Sequence, residues 1–127
     1  MDRMNGGNIL SEIKNLVGLD SEYDAFDVDV LMHINTYVMV LRQIGVGPVG
    51  GYEVTKDSTW SDYLGEDVIT KLSAVRTYIY LKVKLIFDPP TSSAVMEAMK
   101  QTASEIEVRL NMEVDPGESS TKEVNDE

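Results

Sequence analysis

The chain has 127 residues, 43% of them hydrophobic and 26% charged. That size and balance suit one globular domain, able to bury about two thirds of the surface its unfolded form exposes. Without cysteine there is no disulfide framework and no thiolate site, and no apolar run approaches the roughly 20 residues that span a bilayer. The 22 acids against 11 bases leave a net charge of −11, which argues against holding duplex DNA by neutralising its phosphates.

The acid excess is uneven. Residues 1–65 carry ten acids and four bases, residues 115–127 five acids and one base, whereas residues 66–114 are nearly balanced. The opening MDRMNGG has no apolar segment behind a basic cluster, so no secretory signal is expected, and a reducing cytoplasm is the default setting.

In chain order, Asn8 is placed to cap a short helix whose Ile9, Ile13, Leu16 and Val17 share one face, with Gly18 ending it. DSEYDAFD reads as a polar turn, with Asp27 as N-cap of the next helix. From Val28 to Ile44 the positions Leu31, Ile34, Val38 and Leu41 repeat at helical spacing. Val30, Tyr37 and Ile44 widen that stripe, so this helix is expected to be covered on more than one side.

GVGPVGGYEVTKDSTW breaks the helical pattern, because four glycines and a proline fall in the seven positions 45–51. YEVT has the alternation of a short strand, which predicts a loop leading into a β-hairpin or arm. Thr59 and Asp62 have capping-box spacing before the one-turn helix WSDYL, stopped at Gly65. Residues 66–87 form the strongest helix, a rod of about 33 Å, with Val68, Leu72, Val75, Ile79 and Ile86 on one stripe, extended by Tyr78, Leu81 and Leu85. Glu66 and Asp67 at its start and Lys82 and Lys84 near its end suit the helix dipole.

Pro89 has no N–H and disfavours helical geometry at Asp88, so the rod must stop at Phe87 or Asp88. Thr91, Ser92 and Ser93 then offer hydroxyls to the next helix, which runs to about Asn111 with Val95, Met99, Thr102 or Ala103, Ile106 and Leu110 inward. A connection this short makes a stiff αα-hairpin. The expected architecture is therefore mainly all-α: four helices with a long αα-hairpin and a small β-hairpin or arm. It forms one domain over residues 1–114, and the acidic stretch 115–127 is predicted to be a disordered tail.

No catalytic constellation emerges. His33 is the sole histidine and has no thiol or second imidazole to complete a zinc site or triad. Glu22, Asp24, Asp27 and Asp29 lack the glycine and terminal glutamate of a calcium loop. GVGPVGG is not a phosphate loop, since the lysine and hydroxyl residue that complete one are missing. Lys71, Arg76, Lys82 and Lys84 are distributed around their helix and read as solvated flanks rather than a nucleic-acid stripe. The seven methionines read as core filler. Trp60, Tyr63 and Leu64, beside Tyr52 and Val54 of the arm, have two readings: they plug the edge of the core, or they anchor a neighbouring subunit.

GVGPVGGYEVTKDSTWSDYLG followed by AVRTYIYLKVKLIFDPPTS resembles the head-to-tail connector (adaptor) proteins of tailed bacteriophages, over roughly Ile9 to Asn111. The resemblance implies a small helical virion protein that is not an enzyme and needs no cofactor or metal. Such subunits form a ring beneath the phage portal protein at the head–tail junction and present a docking surface to neck or tail-completion proteins. It implies self-assembly into a ring of roughly twelve copies, closed by a head-to-tail contact. It also implies assembly in the host bacterial cytoplasm, no membrane partner, and DNA passing through the channel without specific binding. An acidic channel would repel DNA rather than hold it. The alternative is a helical DNA-packaging accessory or regulatory protein that binds nucleic acid through the 66–87 helix.

Overall fold

The computed structural model describes residues 7–114; the tail expected at 115–127 lies outside the described residues. Helix α1 spans Ile9–Leu16, and the Asn8 side chain accepts the Ser11 N–H at 2.9 Å, as its capping role requires. The chain leaves α1 through Gly18, whose φ of +97° is open to glycine and costly for other residues. Ile9, Leu10, Ile13 and Val17 are buried.

Helix α2, Asp27–Gln43, begins one residue earlier than expected. Phe26 occupies the N-cap position and makes no side-chain cap bond, while Asp27 is the first helical residue. A buried cation draws the Asp27 carboxylate away from capping: Lys14 is only 2% exposed, and its Nζ lies 2.7 Å from Asp27 Oδ1. The same ammonium donates to the Ser21 carbonyl at 3.0 Å, so one lysine ties α1 to the turn and to the start of α2. In the first turn the aspartate also complements the helix dipole.

The arm takes a different form from the one its alternation suggested. Among the described residues there is no strand, only an isolated antiparallel bridge between Asn8 and Thr59. A helix side chain stands where a partner strand would be. Asn35 of α2 accepts the Val54 N–H at 2.7 Å and donates to the Val54 carbonyl at 3.0 Å. Ser58 closes the other side, its hydroxyl accepting from the Thr55 N–H and from the Tyr52 hydroxyl. The alternation itself is real, because Val54 is buried while Glu53 and Thr55 are exposed. No hairpin forms here: both backbone groups of Val54, the buried residue of the stretch, are taken by Asn35 of α2.

Helix α3, Trp60–Leu64, opens with a complete capping box: Thr59 Oγ1 accepts the Asp62 N–H at 3.1 Å, and Asp62 accepts the Thr59 N–H at 2.9 Å. One 3₁₀ turn, Gly65–Asp67, leads into α4, Val68–Phe87. The double proline then ends α4 where expected, with Asp88 outside helical geometry. Ser92 Oγ accepts the Val95 N–H at 3.3 Å at the start of α5, Ser93–Val114.

Helix α4 is the central element. It packs on α1, α2 and α3 and also on α5, while α5 packs extensively on α4 alone. Val75, Tyr78, Ile79 and Val83 of α4 are buried, as are Val30, Ile34, Val38 and Leu41 of α2 and Ala103 and Leu110 of α5. The outer members of the predicted stripes lie at the margin: Ile86 and Val95 are about half exposed. Two polar links cross the layers. Glu12 Oε1 accepts from the Trp60 indole at 3.0 Å and from Arg76 at 3.1 Å, joining α1, α3 and α4. Tyr78 donates to Glu107 and stacks edge-on against Tyr37, joining α4 to α5 and α2.

Asn35→Ala should strand the Val54 N–H and carbonyl in a half-buried setting and cost about 1–3 kcal/mol. Urea denaturation followed by circular dichroism reads this directly, and a variant as stable as the parent would show that Asn35 does not hold the segment.

Candidate interaction surfaces

The candidate anchors for a neighbouring subunit lie inside the fold. Trp60 has 0% of its surface exposed, Tyr63, Leu64 and Val54 are buried, and Tyr52 is half-buried against the Tyr63 ring at 5.5 Å between centroids. The Trp60 indole is further held by Glu12, so these side chains present almost no area to another chain. Of the two readings open in the sequence, core filling is the one this geometry favours. The neighbouring loop is shaped by the same ring. Gly47 has a φ of +95°, and a Cβ there would lie 2.9 Å from the Tyr63 ring.

The surface instead exposes a second apolar face on α2. Val28 (73% exposed), Met32 (59%) and Met39 (51%) follow helical spacing on the side opposite Val30, Ile34, Val38 and Leu41. Together with Leu31, Asn35 and the extended stretch 53–56, they line an open groove of about 600 Å³. Asn35 positions both walls, since it belongs to one and holds Val54 of the other. Val30, Tyr37 and Ile44, which widened the expected stripe, join the core or pack against it, whereas Val28, Met32 and Met39 on the opposite side are left uncovered. The reading of the methionines as core filler needs correction: Met32, Met39 and Met112 are all more than half exposed. A flexible, unbranched thioether is suited to an adaptable contact surface.

Helix α5 carries a second candidate face. It uses one side against α4, and Ala94, Ala98, Val108 and Met112 are exposed on the other. A shallow cleft there is lined by Gln101, Ser104, Glu105, Val108 and Arg109.

His33 is half-buried on α2. No group of histidines and carboxylates able to hold a metal ion occurs among the described residues. On α4, Arg76 pairs with Glu12, Lys84 with Asp88, and Lys82 Nζ sits 5.7–5.8 Å from the Tyr37 and Tyr78 rings. No described helix is long and apolar enough to cross a membrane.

Burial pushes the Tyr63 and Tyr78 hydroxyls well above the ordinary tyrosine range, and for Tyr78 the Glu107 carboxylate adds to the effect. A raised folded-state pKa gives stability that is whole below the unfolded value of about 10 and is lost as pH climbs above it. The fold should therefore weaken above about pH 10. Tyr63→Phe should reduce that alkaline loss in thermal melts and change stability at neutral pH by only about 1 kcal/mol, since no described group bonds this hydroxyl. Trp60→Ala should cost about 3–5 kcal/mol and unfold much of the subunit. A mutant that keeps full helical signal and thermal midpoint would return Trp60 to the surface reading.

The small helical fold leaves apolar side chains open on α2 and α5. The chain belongs to the phage connector protein family, whose match covers residues 9–117. It is thus of a family that implies a virion component, interacting with other head or tail parts. Comparison with curated proteins and with solved structures returned no match.

Proposed function

We propose that this chain is a structural, non-catalytic subunit of a ring at the phage head–tail junction. The ring docks beneath the portal protein, offers its far side to neck or tail-completion proteins, and lets DNA pass through its opening. Assembly takes place in the host cytoplasm. Family membership supports the connector role. The observation that carries self-assembly is the exposed apolar face of α2, a stripe with no structural work to do inside its own subunit.

The net charge of −11 supports transit rather than capture of DNA. The engaged side chains of Arg76, Lys82 and Lys84 do not favour α4 as a nucleic-acid reader.

Purified full-length protein mixed with portal should give ring-shaped additions in negative-stain images and should not retard DNA at physiological salt. Tight, salt-sensitive DNA retention without portal binding would overturn the proposal in favour of a packaging accessory. Met32→Asp, at an exposed site, should shift fold stability by no more than about 0.5 kcal/mol. It should still weaken assembly several-fold in sedimentation.

A further inference from the structure

The order of the layers bears on how copies of this chain meet. Helix α4 packs against both α2 and α5, whereas α2 and α5 have no extensive packing with each other. Each flanking helix spends one face on α4 and turns its other face outward. The two outward faces therefore lie on different flanks of one subunit, and both carry exposed apolar side chains: Val28, Met32 and Met39 on α2, Val108 and Met112 on α5. A surface that paired with itself would need only one such face. Two unlike faces on separate flanks are what a repeating head-to-tail contact requires.

We infer that the α2 groove of one copy receives the outer face of α5 of the next copy, so that the α2–α4–α5 order repeats from subunit to subunit. The shapes are compatible. The groove is open and lies between α2 and the extended stretch 53–56, and α5 is a helix whose outer side begins with the small residues Ala94 and Ala98. Val28 to Met39 covers about 16 Å of helix, and Ala94 to Met112 about 27 Å, so the α5 face is long enough to fill the groove.

Charge favours the same occupant. Leaving aside Glu97 and Lys100, which pair with each other on α5, four exposed charges line the two surfaces: Glu53 and Lys56 on the groove wall, Glu105 and Arg109 on α5. None of the four forms an ion pair with a described residue of its own subunit. Only one direction of α5 in the groove sets each charge against its opposite, which selects a direction for the contact. Two α2 faces meeting across a two-fold axis bury no complement to the α5 face.

This inference rests on the ring reading, and absence of native cysteine allows a test that separates the two. The full-length variants Met32→Cys, Val108→Cys and their combination are mixed with portal, oxidised mildly, and run on non-reducing gels beside negative-stain grids. The double variant should give a ladder of covalent multimers, because each copy is joined to two neighbours, while neither single variant cross-links. A second pair, Thr36→Cys with Ser104→Cys, lies on the same two faces and should give the same ladder. A covalent dimer from Met32→Cys alone would show α2 meeting α2 and overturn the inference. Rings on the grid without a ladder from either pair would overturn the α2–α5 contact and leave the ring standing. Absence of rings and ladder together, with circular dichroism unchanged, would overturn both.

Discussion

Helix α4 has to be buried on two sides at once, and most of the fold follows from that demand. Its buried residues run from Val75 and Ile79 to Tyr78 and Leu81, too wide an arc for one neighbouring helix to cover. On one flank α2 closes over it with the short helices α1 and α3; on the other lies α5, returned at once by the Asp88–Pro89–Pro90 corner. A longer, looser connection would let α5 settle elsewhere. The proline pair holds it beside the helix it has just left.

The polar groups inside this arrangement act as cross-braces rather than as chemistry. Glu12 serves the Trp60 indole and Arg76 together, Lys14 serves Asp27 and the Ser21 carbonyl, and Asn35 serves both backbone groups of Val54. Each spans elements far apart in sequence. Each also replaces a hydrogen bond to water that burial removed, so removing one partner leaves the other without a substitute. The glycine-rich stretch is accordingly drawn onto the body: Arg42 donates to the Val49 carbonyl, and Gly47 lies against the Tyr63 ring. Val49 stands at its tip, 90% exposed.

A subunit braced in this way can afford open apolar faces without losing its shape. The exposed side of α2 is backed by a helix whose opposite side is fully buried, and the groove's second wall is held through Asn35. Preorganised surfaces of this kind lose little conformational entropy on docking, which suits a part that must add to a growing particle.

Much of this was written locally in the chain. Asn8, the Thr59–Asp62 box, the stop at Phe87 and the buried stripes of α2 and α4 all depend on residues within a few positions of one another, so spacing and capping chemistry disclosed them. The repeated apolar pattern and the resemblance to phage connectors were likewise legible, and the family match agrees with the latter. What local pattern could not decide was which partner each group would find. Asp27 left its capping role for Lys14, thirteen positions earlier. YEVT found a helix side chain in place of a strand, and Trp60 went inward to Glu12 and the core. Strand-like alternation and a large aromatic each have more than one low-energy use, and only the three-dimensional placement of α1, α2 and α4 selected among them. The same packing left Val28, Met32 and Met39 outside, because α4 could cover only one face of α2.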